Sequence, residues 1–171
     1  MNTSRFNFIC TLTLASWFAC GFSTANAALK VGATLPDLGG LKLEGTLPGS
    51  LKGKVVILDF WASWCGPCAE SFPIMDELQK KYKDQGLVIL AVSVDEKAGK
   101  METFMKKNPV AFTVVRDADH KLVAIAEPQT MPTSFVIDRE GKVRFLHNGF
   151  HGAATRKEYI EQIESLLKAT P

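Results

Sequence analysis

Two cysteines stand three residues apart, at Cys65 and Cys68, where the hydrophobic pattern of the chain changes period. Before them runs Val55-Val56-Ile57-Leu58-Asp59-Phe60, nearly continuous apolar sequence of the kind that fills a strand covered on both faces. After them, from Ala69 to Lys83, Phe72, Met75, Leu78 and Tyr82 fall on one helical face. The string Trp64-Cys65-Gly66-Pro67-Cys68 therefore sits at a strand-to-helix junction, which fixes a buried strand, a tight turn and an amphipathic helix in that order. Thiols one helical turn apart can exchange electrons with another disulfide and close on each other.

The cysteine count depends on the first 27 residues. Arg5 is the only charge before Lys30, Ile9 to Phe22 is almost unbroken apolar sequence, and Ala25-Asn26-Ala27 has the small-residue pattern of a signal-peptidase site. Met1–Ala27 reads as a cleaved secretory signal, which leaves 144 of the 171 residues as one domain, 28–171. An uncleaved membrane anchor is the alternative, but the apolar run is shorter than the roughly 18–20 residues a bilayer span needs. Trp17, where a small aliphatic residue is usual, speaks against a lipid-modified Cys20. Cleavage removes Cys10 and Cys20 and lowers the formal net charge from +2 to +1, leaving Cys65 and Cys68 as the only thiols.

Other uses of a lone cysteine pair are weaker. So short a loop constrains the unfolded state little, so a purely structural staple returns little stability. A closed zinc site needs four ligands, and the only histidines are His120, His147 and His151. Haem attachment needs a histidine after the second cysteine, and Ala69 is there. No basic block or aromatic-interleaved patch suggests nucleic acid.

Along the remaining chain the pattern predicts alternating elements. Ala28–Lys54 is glycine-rich, with short alternating pieces such as Leu41-Lys42-Leu43, and reads as an N-terminal arm able to form a hairpin. A second buried strand follows at Leu87–Val94, a helix at Lys100–Asn108, a short strand at Phe112–Val115 and a short helix at Lys121–Glu127. Strands at Ser134–Ile137 and Val143–His147 flank the turn Asp138-Arg139-Glu140-Gly141. Thr155 and Glu158 have capping-box spacing ahead of a helix with Tyr159, Ile160, Ile163, Leu166 and Leu167 in one stripe. Helices between strands imply parallel pairing, and the closing hairpin adds antiparallel pairs. The expected fold is α/β, a mixed central sheet with helices on both faces.

That order resembles the thioredoxin fold. The resemblance rests on Asp59-Phe60-Trp61-Ala62-Ser63-Trp64-Cys65-Gly66-Pro67-Cys68, on Pro73 five residues beyond Cys68, and on Met131-Pro132-Thr133 before a strand. The apparent signal, the glycine-rich arm and an inserted element between Asp95 and Val115 make the chain similar to exported thioredoxin-like proteins of the TlpA/ResA type, over essentially all of Leu29–Ala169. One departure matters. Many relatives carry Asn at the Asp59 position and Glu three residues after the second cysteine, where this chain has Ser71. Glu70 points about 100° away around a helix and is a poor substitute, so the acid–base role falls to Asp59.

Cys65, at a helix N-terminus, is the expected attacking thiol, because unpaired N–H groups and the macrodipole favour an anion there. Cys68, a turn deeper, is the expected resolving thiol. Asp59 in an apolar strand is costly unless satisfied or protonated. Burial would raise its pKa and suit it to shuttle the Cys68 proton, though a strand-end carboxylate bonded to backbone fits the sequence too. By resemblance, Gly66-Pro67 belongs to reducing dithiols, and Pro132 is cis beside the thiols, turning the Met131 backbone toward an extended substrate segment. Trp64 reads as an apolar contact surface, Trp61 as either contact or core, Pro73 as a helix kink, and His147 and His151 as surface groups.

The resemblance implies a thiol–disulfide oxidoreductase of the periplasm, working as a monomer with no cofactor or metal beyond the Cys65–Cys68 couple. Its partners would be disulfide-bearing clients, such as apocytochrome c or copper-site proteins, and a membrane electron donor of the thiol–disulfide type. Two alternatives stay open. One is a copper metallochaperone using Cys65, Cys68 and His147 or His151, since soft thiolates favour Cu(I). The other is a peroxidase of the peroxiredoxin type, which wants Thr three residues before the cysteine, where this chain has Ala62.

Overall fold

The computed structural model describes residues 28–169; the signal reading of Met1–Ala27 lies outside the described residues. Ten regular elements follow in chain order: β1 (Leu43–Glu44), β2 (Val55–Trp61), α1 (Gly66–Tyr82), β3 (Leu87–Ser93), α2 (Ala98–Lys107), β4 (Thr113–Asp117), α3 (Lys121–Ala126), β5 (Thr133–Ile137), β6 (Val143–Asn148) and α4 (Ala153–Lys168). One six-stranded sheet has the order β1-β4-β3-β2-β5-β6. β2 pairs in parallel with β3, and β3 with β4, whereas β5, β6 and β1 join antiparallel. The sheet is mixed, as the alternation of elements implied, and the fold is thioredoxin-like, as the resemblance implied.

Every residue of β2 is buried, because the strand lies mid-sheet and is covered twice. Its side chains alternate between two cores, as a period of two requires. Val55, Ile57 and Trp61 enter a core built with Cys68, Phe72, Met75, Leu78 and Tyr82 of α1 and Tyr159 and Ile163 of α4. Met101, Phe104 and Met105 of α2 pack against the same core. Val56, Leu58 and Phe60 enter the other, with Leu122 and Ala126 of α3 and with Leu29 and Leu38. Helices do cover both faces, but on the second face one short helix, α3, leaves most of the covering to the N-terminal arm.

That arm is not a hairpin. It crosses the molecule, bridging Thr34 to Lys142 beside β6 and adding β1 as the edge strand next to β4. Glycines and prolines supply its bends, and its leucines pack on the sheet instead of on each other. The capping-box reading of Thr155 and Glu158 is also corrected. α4 begins at Ala153 after Gly152, which has φ of 60° and no side-chain cap. Thr155 lies in the first turn, where its hydroxyl accepts the His151 N–H at 3.0 Å. Glu158 instead turns its carboxylate toward His147, 3.3 Å from Nδ1.

Candidate active site

β2 delivers Trp61 to the end of the sheet, and α1 starts just beyond the turn that follows. The connecting turn is held at both ends. Val94 donates its N–H to the Trp61 carbonyl at 2.9 Å, and Cys65 donates to the Ala62 carbonyl at 3.1 Å. Between them, Asp95 accepts the Ser63 N–H at 2.9 Å and the Ser63 hydroxyl at 2.7 Å. Asp95 is itself buried and also accepts from the Ser93 hydroxyl at 2.9 Å. The loop that carries the first thiol is thus fixed to the end of β3, an anchor that the local sequence around the cysteines did not reveal.

Cys65 is the N-cap of α1, in extended conformation, with Gly66 and Pro67 as the first two helical residues. Proline is tolerated there because its missing N–H has no helical partner to lose. The Cys68 N–H donates to Cys65 Sγ at 3.2 Å, so the sulfur occupies the place a capping oxygen takes in other helices. Cys65 and Cys68 are joined as a disulfide, with Cα atoms 5.3 Å apart. Cys65 is 6 % exposed and Cys68 fully buried, the order expected of an attacking and a resolving sulfur. Ser71, where relatives carry an acid, is buried and donates its hydroxyl to the Cys68 carbonyl at 2.9 Å. α1 continues as one element through Pro73.

Met131–Pro132 is a cis peptide, facing the dithiol across a groove of about 480 Å³. Trp64, Cys65, Gly66 and Pro67 line one wall, and Pro128 through Met131 the other. Among the described residues neither the N–H nor the carbonyl of Met131 has a backbone partner. The Pro132 carbonyl, in contrast, accepts from Gly149 at 2.8 Å. Trp64 is 70 % exposed and borders a second groove that includes Lys97, Lys100 and Phe104. Trp61 is core: it is fully buried and packs its ring against Phe72 and Phe104 at 4.7 and 4.9 Å.

Asp59 is fully buried on the β2 face that alternation shares with Ile57 and Trp61, the face of the Cys65–Cys68 core. Its Oδ1 accepts the Ser134 hydroxyl at 2.6 Å, and Oδ2 has no partner among the described residues. Burial pushes its pKa up to about 7, opposed only in part by the Ser134 hydrogen bond. Ser134 Oγ lies 2.7 Å from the Tyr159 hydroxyl. Ser134 and Tyr159 were not singled out as site residues in the sequence. The signal was a lone serine in the apolar strand Phe135-Val136-Ile137 and a tyrosine in the α4 stripe.

His147 is not a surface group. It is 8 % exposed, its Nε2 is 2.8 Å from Gln162 Oε1, and its ring packs on Tyr159 with centroids 4.7 Å apart. The alternation Val143, Phe145, His147 along β6 put it on the covered face. Both of its ring nitrogens are engaged with α4, Nε2 with Gln162 and Nδ1 with Glu158. His151 is exposed, and among the described residues no cluster of three or more His, Cys, Asp or Glu side chains forms.

Comparison with known proteins agrees with this geometry. The Redoxin family pattern matches residues 30–163. The thiol-disulfide oxidoreductase ResA of Bacillus subtilis (strain 168) is 41% identical over 130 residues, covering 76% of this chain and 71% of that protein. A ResA of Bacillus cereus is 38% identical over 128 residues, 72% of each chain. A crystal structure described as the thiol:disulfide interchange protein DsbE from Chlorobium tepidum superposes with a TM-score of 0.75 at 40% identity, covering 82% of this chain and 99% of the other. With a Cys-x-x-Cys disulfide at the helix start and these relatives over most of its length, the chain belongs to the Redoxin family as a thioredoxin-like thiol–disulfide oxidoreductase of the ResA/TlpA type.

Proposed function

We propose that the protein is an exported reductant of client disulfides in the periplasm. The reading is carried by one observation: of the pair only Cys65 retains any exposure, and it lines the groove whose far wall includes the Met131 backbone, unpaired among the described residues. An extended client segment can lie along Met131 as an added strand and bring its disulfide to Cys65, with Trp64, Gly66 and Pro67 as the apolar side of the contact. The Cys65 thiolate, favoured by the helix start, attacks one client sulfur; the client S–S bond breaks and a mixed disulfide forms. Cys68 then attacks Cys65, forms the internal disulfide and expels the client thiolate. Two electrons pass from the dithiol to the client.

Asp59 is the acid–base group of the second step. A carboxyl titrating near neutral pH is matched to taking the proton of Cys68 and returning it. The Gly66-Pro67 pair supports a reducing poise through the resemblance to reducing thioredoxin-like dithiols. Outside the cytoplasm the spent disulfide needs an electron source, so the donor is a membrane protein of the thiol–disulfide type. Clients are oxidised cysteine pairs of exported proteins, among them apocytochrome c and copper-site proteins, and the monomer suffices for the reaction.

Expression of a Cys68→Ser variant in the native host tests this directly. Without a resolving thiol, Cys65 accumulates mixed disulfides with its clients, which non-reducing electrophoresis and mass spectrometry identify as periplasmic proteins. Absence of adducts, together with a wild-type pair that stays oxidised in the cell, overturns the reductant reading.

A further inference from the structure

Asp59, Ser134 and His147 occupy successive cross-strand positions on β2, β5 and β6. This register places a hydroxyl directly opposite the buried carboxylate. Tyr159 of α4 reaches down onto that hydroxyl, buttressed by the His147 ring. Asp59, Ser134 and Tyr159 are each at most 1 % exposed, so no bulk water competes for their bonds.

Proton counting orders the chain. Ser134 has one hydroxyl proton and donates it to Asp59 Oδ1 at 2.6 Å. The 2.7 Å contact with Tyr159 is then satisfied only when the phenol donates and the serine accepts. Burial and the nearby Asp59 charge hold the Tyr159 pKa well above its usual value, so the phenol keeps the proton it donates. Both donors point toward the carboxylate, and neither reaches Oδ2, which is buried and without a partner among the described residues, on the dithiol side of the sheet. A buried carboxylate oxygen left unpaired is costly and calls for a use.

We propose that Tyr159 and Ser134 are positioning residues for the dithiol reaction: their hydroxyls form a one-way chain that occupies Oδ1 of Asp59 and reserves Oδ2 for the proton of Cys68. This rests on the acid–base role proposed for Asp59. In the resolving step the Cys68 S–H bond breaks and its proton passes to Oδ2. The Cys68 sulfur bonds to Cys65, the Cys65–client S–S bond breaks, and its electron pair leaves on the client sulfur, which is then protonated. The two donors stabilise Asp59 as an anion before the transfer and hold the carboxyl in one orientation throughout.

Among the described residues few titratable groups face Asp59. They are the Cys65 and Cys68 thiols from α1 and Tyr159 from α4; β3 offers only Ala91 opposite Asp59, and His147 lies beyond Ser134. A carboxyl NMR titration of Asp59 in the oxidised protein therefore reads the carboxyl without interference from the thiols. The companion measurement is the pH profile of glutathione disulfide reduction by the reduced protein. Ser134→Ala should raise the Asp59 midpoint by about one pH unit and carry the acid limb of the rate profile with it. Tyr159→Phe, nearly isosteric and so the safer fold, should raise both by about half as much.

Because the phenol acts through the serine, Tyr159→Phe added to Ser134→Ala should move the midpoint no further. Ser134→Thr, which keeps the hydroxyl, should restore the wild-type midpoint. An unmoved midpoint in Ser134→Ala, or additive shifts in the double variant, overturns the chain. A midpoint that moves while the acid limb stays, with Asp59→Asn keeping the wild-type rate profile, instead removes the proton role of Asp59 and with it the positioning role.

Discussion

Burial of a single carboxyl side chain couples the stability of this protein to pH. Asp59 titrates near 3.8 when exposed and about 7 in the fold, with burial as the cause. Well below pH 4 the group is neutral in both states and carries no pH-dependent cost. As pH rises from about 4 to 7 the unfolded chain loses this proton and the folded chain does not, so folded stability falls; above 7 the loss is complete. A difference of about 3 pH units corresponds to about 4 kcal/mol. Asp59→Asn should therefore match the wild type in urea unfolding near pH 4 and exceed it by about 4 kcal/mol at pH 8, in the oxidised protein. A stability gap that does not change with pH rules the linkage out. The residue was visible in the sequence as an acid inside Val55–Phe60. Its partners were not, because Ser134 and Tyr159 lie 75 and 100 positions away and only the β2–β5 register and the α4 crossing bring them near.

The elements around the dithiol show which features a local pattern can carry. β2, α1, β3 and α4 were legible because each buries a continuous run or a single helical stripe, and the Asp138–Gly141 turn marked the closing hairpin. The arm and the start of α4 were misread. Thr155 and Glu158 have the spacing of a capping box, but Gly152 opens the helix earlier, and both side chains are taken by His151 and His147. The anchor of the dithiol turn was equally hidden, since Asp95 sits 32 residues from Ser63. Asp95→Ala should leave the Ser63 N–H and hydroxyl and the Ser93 hydroxyl without their acceptor, at about 2–4 kcal/mol of stability. A larger effect is expected on function than in a remote buried site of equal cost: hydrogen exchange at Ser63–Cys65 should quicken locally. Unfolding free energy and exchange rates together test it, and unchanged protection at Ser63–Cys65 would show that the turn holds itself.

At the scale of the whole molecule, the two faces of the sheet are closed by different means. α1, α2 and α4 seal the dithiol face, where aromatic contacts run from Trp61 through Phe72 and Phe104 to Phe112. Among the described residues α3 is the one helix on the opposite face, and the arm completes it. Leu29 and Leu38 are buried there, with Leu35, Leu41, Leu43, Leu47 and Leu51 packed around them. The arm is also clamped at its strand end, where Glu44 pairs with Arg116, whose guanidinium in turn donates to the Asp95 and Glu96 carbonyls. Fully burying a leucine is worth about 1.5–3 kcal/mol, so the arm's contribution is comparable with the roughly 5–15 kcal/mol that holds a typical domain together. Removing residues 28–47 should uncover Val56, Leu58 and Phe60 on one side of β2, giving a species that binds a hydrophobic dye and unfolds without a sharp transition. The milder Leu38→Ala should keep a cooperative transition but lose about 2–4 kcal/mol. If the truncated chain unfolds as sharply as the full domain and binds no dye, the arm is an appendage; if it behaves as expected, the second face of this oxidoreductase is built by its N-terminal strap and not by a helical layer.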